Sequence, residues 1–123
     1  MGNKTTAKNL KYDDRHYVTH SELTEFLESA VEIYPEICEL ESLGKTNEGR
    51  DIWTLTMTQK STGSHLKKPA LWIDGNIHAV ELASTQACLH AIYFILSNYK
   101  QDAELAELLE FQTLYFVPRI SPD

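Results

Sequence analysis

The residues best suited to chemistry are a histidine and a glutamate three positions apart, His78 and Glu81 in the segment NIHAVE. One turn of helix brings residues at i and i+3 to the same side, so an imidazole nitrogen and a carboxylate oxygen could converge on one cation. A mixed nitrogen and oxygen pair suits Zn²⁺, and a catalytic zinc takes three protein ligands, such as two His and one Glu, plus a water. The spacing therefore identifies His78 and Glu81 as candidate zinc ligands.

The same spacing also fits a purely structural interpretation. His78 could make a single structural hydrogen bond, and Glu81 could lie in a first helical turn, where the helix dipole favours an anion. Two ligands alone do not make a catalytic zinc site. The pair by itself leaves both interpretations open.

The other histidines do not supply a third ligand by sequence alone. His90 lies nine residues beyond Glu81, which places it about 180° away on the same helix and favours a half-buried helix residue. His16 and His20 are four residues apart, but Thr19 between them resembles a helix cap. His65 lies in a polar segment that predicts a surface loop.

The first half of the chain predicts a helix followed by a β-hairpin. Thr19 with Glu22 forms a capping box, and apolar residues then recur at helical spacing before Pro35. Two runs typical of strands follow, around residues 38–43 and 51–58, and the glycines between them favour a hairpin turn. The apolar positions of the predicted helix are Leu23, Phe26, Leu27, Ala30, Val31 and Tyr34.

The second half predicts the unit that positions the candidate ligands. Residues 70–73 indicate a buried strand, and residues 74–76 indicate a turn. A largely buried helix is predicted over residues 81–99, followed by a short helix with Asp102 as its cap. Residues 111–117 then indicate a second buried strand. A strand, helix and strand in sequence favours parallel strands, so we predict an α/β fold with helices covering both faces of a mixed sheet. His78 would then lie just beyond the carboxyl end of a strand, where open α/β sheets bind ligands.

Composition favours one acidic, globular domain. The chain has 123 residues, 42% of them hydrophobic and 24% charged, with a formal charge of −7. We expect residues 1–16 to form a flexible lead-in, with structure beginning near residue 17, and residues 17–123 to form the domain. The acidic charge argues against nucleic acid as a partner.

No apolar run approaches the roughly 20 residues of a membrane span, and no export signal is evident, so a cytoplasmic location is the default. Cys38 and Cys88 are expected to behave as small buried hydrophobes.

Three ordered segments resemble the zinc carboxypeptidases of the M14 type. They are residues 44–52 (GKTNEGRDI), 69–81 (PALWIDGNIHAVE) and 117–123 (VPRISPD), and the likeness extends from about residue 17 to residue 123. The resemblance implies an α/β/α fold around a mixed sheet and a zinc held by His78, Glu81 and a later histidine. It also implies that the substrates are peptide or protein C-termini, whose last peptide bond is hydrolysed.

By the same resemblance, other catalytic parts would follow residue 123. These are the third zinc ligand, the glutamate that acts as general base, and the Arg and Asn residues that hold the substrate carboxylate. The sequence is therefore identified as the N-terminal part of a catalytic domain, with no catalytic residue of its own beyond the two metal ligands and no activity expected for the fragment. Two positions depart from the family pattern: Val80 stands where many relatives have Gly or Arg, and Ser121 replaces the usual Asn.

Two alternatives to a carboxypeptidase remain. Acyl-amino-acid amidohydrolases of the desuccinylase type also use a His-x-x-Glu pair, but they are not expected to carry the hairpin of residues 44–52. A non-catalytic relative could keep the fold and bind peptide tails without cutting them. Residues beyond 123 would discriminate among the three.

Overall fold

The first helix begins where its capping box predicts. The structure, a computed structural model, describes residues 9–123. Helix α1 spans His20–Ile33 with Thr19 as its N-cap. The Thr19 hydroxyl accepts a hydrogen bond from the Glu22 amide (3.2 Å), and the Thr19 amide donates to the Glu22 carboxylate (2.7 Å). These reciprocal bonds satisfy backbone donors that a helix start otherwise leaves unpaired, so the predicted helix is confirmed.

The two predicted strands of the hairpin are also confirmed. Strand β1 spans Cys38–Lys45 and strand β2 spans Asp51–Met57, and they pair antiparallel with Cys38 opposite Met57. The turn closes with a hydrogen bond from the Thr46 amide to the Arg50 carbonyl (2.9 Å).

A parallel strand pair completes a mixed sheet. Strand β3 spans Ala70–Asp74, helices α2 and α3 span Ala83–Asn98 and Ala103–Phe111, and strand β4 spans Thr113–Val117. The strand order is β1-β2-β4-β3, with β3 parallel to β4 and the other pairs antiparallel. The α/β class with a mixed sheet is confirmed. Phe111, predicted as the start of the last strand, instead ends α3.

The main core lies between one face of the sheet and the two long helices. Alternation along β2 and β4 turns Leu55, Met57, Leu114 and Phe116 to this face, and all four are buried. Helix α1 packs on the same face, because Trp53, two residues before Leu55, donates its indole hydrogen to a hydroxyl of α1. The buried members of the two helices are Leu23, Phe26, Leu27, Ala30, Cys88, Leu89, Ile92 and Leu96.

Strand β3 is less covered than its sequence predicts. The apolar run at residues 70–73 favours a buried strand, yet Leu71 is 55% exposed and Trp72 is 51% exposed. The reason is the strand order, which places β3 at the edge of the described sheet. An apolar run predicts that a strand is covered by other parts of the protein, but it does not identify the residues that cover it.

The last part of the predicted flexible lead-in packs against the core. Residues 1–8 lie outside the described residues, and residues 9–16 form no helix or strand. Leu10, however, is buried in the core, and the Tyr12 ring lies 6.0 Å from Phe26 of α1 and 5.3 Å from Tyr93 of α2. Isolated apolar residues give no periodic pattern, so this packing was not visible in the sequence. The domain boundary at residue 17 itself stays a prediction.

Both cysteines are buried and unpaired with each other. Burial raises the pKa of the Cys38 thiol to about 12 and that of Cys88 to about 11. Both therefore remain protonated at neutral pH, as expected for small hydrophobic core residues. Within residues 9–123, no helix has the length and apolar character that crossing a bilayer requires.

Candidate metal-binding loop

His78 and Glu81 lie in a loop between β3 and α2, not on the helix. The predicted helix start at residue 81 is wrong, because α2 begins at Ala83. The two residues instead flank a tight turn in which the Glu81 amide donates to the His78 carbonyl (3.0 Å). The loop, residues 75–82, follows the carboxyl end of β3, the edge of an α/β sheet at which ligands bind.

The two candidate ligands do converge. His78 Nδ1 lies 3.2 Å from Glu81 Oε2, and both side chains are open to solvent, with 73% and 59% of their surfaces exposed. At a tetrahedral zinc with ligand bonds of about 2.0–2.1 Å, two ligand atoms lie about 3.3 Å apart. The donor types and their separation therefore fit two corners of a zinc site. That these residues hold zinc stays a prediction.

A buried asparagine organises the loop from within. Asn76 is only 3% exposed and has a left-handed backbone with φ 58°. Its side-chain amide nitrogen lies within hydrogen-bonding distance of three carbonyl oxygens, those of His78 (3.1 Å), Ala79 (3.1 Å) and Glu81 (3.2 Å). The sequence interpretation missed this residue and treated it only as part of a turn.

Two serines tie the same loop to its surroundings. The Ser84 hydroxyl accepts a hydrogen bond from the backbone amide of Asn76 (2.7 Å) and donates one to the backbone carbonyl of Glu81 (3.0 Å). The Ser121 hydroxyl donates to the Ile77 carbonyl (2.8 Å). Ser121 is the residue that departs from the family pattern, and here it has a definite contact. The other departure, Val80, is exposed at the tip of the loop.

The base of the loop fits closely against α2 and the last segment of the chain. The Gly75 amide donates to the Val117 carbonyl, and the Ile120 amide donates to the Gly75 carbonyl (both 3.1 Å). A Cβ at Gly75 would lie 2.9 Å from the backbone of Ser84 and 3.1 Å from the Pro118 carbonyl oxygen. No side chain fits at this position, because the neighbours are all backbone atoms.

The last residue anchors this segment to the hairpin turn. The Asp123 carboxylate accepts from the Thr46 hydroxyl (2.6 Å), the Glu48 amide (3.2 Å) and the Arg50 guanidinium (2.9 Å). The hydrogen bond from Thr46 has the largest effect in holding the pKa of the Asp123 carboxyl below its usual range; the bonds from Arg50 and Glu48 also lower it, while desolvation opposes them. Two segments of the family resemblance, residues 44–52 and 117–123, thus meet in space.

Asp123→Asn should lower the stability of the chain at neutral pH and have less effect in acid. A carboxyl whose folded pKa is depressed contributes stability above its unfolded pKa, and this contribution is lost as the pH falls through the folded value. Thermal unfolding at pH 7 and pH 3 would measure the difference. Asp14→Asn, which removes the same charge elsewhere on the surface, is the matched control. An equal Tm decrease for Asp123→Asn at both pH values would contradict the ionic contact.

The remaining histidines lie apart from the loop. His16 contacts Asp13 and Glu22 (3.7 and 3.6 Å), and His65 Nδ1 lies 2.7 Å from the Tyr115 hydroxyl. His90 is on α2 but exposed, not half-buried as predicted. Across residues 9–123, no three His, Cys, Asp or Glu side chains form a group that could hold a metal.

His20 is half-buried at the start of α1. Its Nδ1 atom has no hydrogen-bond partner among the described residues, and neither does Nε of Arg119, which is 7% exposed. Burial lowers the pKa of His20, and the nearby guanidinium groups of Arg119 and Arg50 lower it further. These effects favour the neutral imidazole of His20, and among residues 9–123 it is not part of a group of three side chains that could hold a metal.

The structure thus combines a mixed α/β sheet with a histidine and carboxylate pair beyond the carboxyl end of a strand. The family described as zinc carboxypeptidase matches residues 23–123. The chain belongs to this family.

Individual relatives agree with this assignment. The chain is 30% identical over 118 residues to human carboxypeptidase D, covering 96% of this chain and 9% of that protein. It is 28% identical over 110 residues to mouse carboxypeptidase M, covering 89% of this chain and 25% of that protein. A crystal structure of thrombin activatable fibrinolysis inhibitor superposes with a TM-score of 0.78 at 25% identity, covering 89% of this chain and 27% of that one. The chain thus spans only about a tenth to a quarter of the length of these relatives.

Proposed function

We propose that this chain supplies His78 and Glu81 as two zinc ligands of a metallocarboxypeptidase that removes residues from peptide or protein C-termini. The observation that carries the proposal is the 3.2 Å approach of His78 Nδ1 to Glu81 Oε2 beyond the carboxyl end of β3. It is supported by membership of the zinc carboxypeptidase family over residues 23–123.

In this proposal His78 and Glu81 each supply one donor atom to the metal. His78 presents Nδ1, and Glu81 presents a carboxylate oxygen, the nitrogen and oxygen donors that zinc accepts. Both side chains face solvent, so substrate and ligands from elsewhere can approach them. When bound, a catalytic zinc lowers the pKa of a water towards 7 and polarises the scissile carbonyl.

The remaining tasks need residues other than those described. Hydrolysis also requires a third metal ligand, a general base within hydrogen-bonding reach of the attacking water, and a cation to select the free carboxylate of the substrate. We propose that these groups come from chain outside residues 9–123. Accordingly, the 123-residue chain by itself is expected to show no peptidase activity.

The activity is tested with the protein expressed from its own reading frame, including any residues that follow Asp123. We expect zinc-dependent release of the C-terminal amino acid from an unstructured peptide, and no release from the same peptide with an amidated C-terminus. His78→Ala and Glu81→Ala should each reduce kcat/KM by about 10³-fold or more, because each removes a ligand. His90→Ala, an exposed histidine on α2, is the matched control and should keep full activity.

Other outcomes of this assay would overturn the proposal in different ways. Cleavage of acylated amino acids but not of peptides would favour the amidohydrolase alternative. Binding of peptide tails without cleavage would favour a non-catalytic relative. Peptidase activity that survives His78→Ala would contradict the assignment of the metal ligands.

A further inference from the structure

We propose that Asn76 is a positioning residue for the metal pair: its carboxamide holds the backbone between His78 and Glu81 in the conformation that brings their side chains together. The inference rests on the proposed function, because the pair must bind metal for the positioning to matter. It goes beyond that function by assigning a role to a residue that holds no metal itself.

The first support is the direction of the backbone groups in the loop. The carbonyl oxygens of His78, Ala79 and Glu81 all lie 3.1–3.2 Å from one nitrogen, Asn76 Nδ2. Asn76 is buried, whereas the His78 and Glu81 side chains are exposed. The loop is therefore wrapped around the amide, with its carbonyls turned inward and its two ligand side chains turned outward.

The second support is the chemical match between the residue and its position. The Asn amide carries two hydrogens and serves carbonyl oxygens, which accept only. An aspartate of the same shape would place a carboxylate against those oxygens and donate nothing. The backbone φ of 58° is a conformation that Asn tolerates better than most residues, so one residue type satisfies both the turn and its interior.

The third support is that Glu81 is held from two directions. The backbone carbonyl of Glu81 accepts from Asn76 Nδ2 (3.2 Å) and from the Ser84 hydroxyl (3.0 Å). The Ser84 hydroxyl in turn accepts from the backbone amide of Asn76 (2.7 Å). Asn76 therefore links the end of β3, the ligand turn and the first turn of α2. Residues that orient metal ligands typically change metal affinity about 10- to 100-fold when removed.

A merely stabilising role is separated from a positioning role by two variants. Asn76→Gly keeps a residue that accepts positive φ but removes the side-chain carboxamide. The turn can then form without the hydrogen bonds from that carboxamide to the loop carbonyls. Asn76→Asp keeps the shape and removes the donors. Asn98→Asp is the matched control, because the Asn98 amide donates to the Phe94 carbonyl within α2 and does not contact the loop.

The experiment uses the 123-residue chain with Leu71→Lys in every sample, because a lysine on the exposed edge strand β3 is expected to keep the chain monomeric. It has two readouts, one with zinc and one without. Zn²⁺ titrations followed by NMR of the His78 imidazole measure the affinity for zinc. In the zinc-free protein, nuclear Overhauser contacts between the His78 and Glu81 side chains show whether the two side chains lie close together. We expect Asn76→Gly and Asn76→Asp to weaken zinc binding about 10-fold or more and to lose these contacts. Urea unfolding of each variant measures the change in global stability.

Unchanged zinc affinity and unchanged His78 to Glu81 contacts in a folded Asn76→Gly variant would overturn the inference. A loss of affinity matched by Asn98→Asp would also overturn it. If the wild-type chain shows the side-chain contacts but no zinc response at His78, the proposed function fails and the inference fails with it. If zinc still binds at His78 and the side-chain contacts persist in a folded Asn76→Gly variant, only the positioning role fails.

Discussion

Replacing Gly75 with alanine should lower the free energy of unfolding by about 3 kcal/mol and disturb the loop that carries His78 and Glu81. The added Cβ would lie 2.9 Å from the carbonyl carbon and oxygen of Ser84 and 3.1 Å from the Pro118 oxygen. These are backbone atoms at the start of α2 and after β4, so relief requires that whole elements move apart. Urea unfolding followed by circular dichroism measures the loss.

Gly49→Ala provides the control for this effect. Gly49 lies in the hairpin turn with φ +81°, and no atom lies within 4 Å of its added Cβ. Only the backbone conformation opposes alanine there, at a cost of about 1–2 kcal/mol. If the two substitutions destabilise the chain equally, close packing at Gly75 is not what the position requires.

The isolated 123-residue chain should self-associate through the exposed edge of β3. Leu71 and Trp72 present apolar surface on a strand that pairs on one side only with the described sheet. Unpaired strand edges with apolar side chains recruit other chains, and lysine at such an edge prevents this. We expect oligomers on size-exclusion chromatography at micromolar concentrations and a shift to monomer for Leu71→Lys.

Phe94→Lys distinguishes edge pairing from general hydrophobicity. Phe94 is exposed to a similar degree but lies on α2, where the backbone is already hydrogen-bonded within the helix. This variant should leave the oligomers intact. A monomeric wild-type chain, or equal dispersal by both substitutions, would contradict association through β3.

Local signals predicted most of the fold correctly. The capping box at Thr19 and Glu22 specified the start of α1, and the glycines of the 44–50 segment specified the hairpin. Tertiary features were less accessible. Leu82 extends the apolar pattern of α2 towards its N-terminus, so the pattern places the helix start too early, at residue 81. Hydrogen bonds from Asn76 and Ser84 to the Glu81 carbonyl keep this stretch in a loop.

The candidate site shows the same division. Spacing predicted that one turn of helix brings His78 and Glu81 to the same side, whereas in the structure a loop turn brings the two side chains together. Asn76 was missed because a buried amide with three backbone acceptors leaves no periodic trace in a sequence. The Asp123 contact with the hairpin turn joins residues more than 70 positions apart, a separation that no local pattern reports.

The central claim is that His78 and Glu81 bind one zinc ion together. A zinc titration followed by imidazole NMR tests it most directly, on the 123-residue chain with Leu71→Lys to keep it monomeric. Four-ligand structural sites gain about 10–16 kcal/mol, so two ligands should give a Kd no tighter than about 1 µM. We predict that the signals of His78 and the Glu81 side chain shift together at a single weak Kd, and that His78→Ala or Glu81→Ala abolishes the response while His90→Ala preserves it. Zinc shifts at His16 or His65 with His78 unaffected, or a response that persists without Glu81, would contradict the claim.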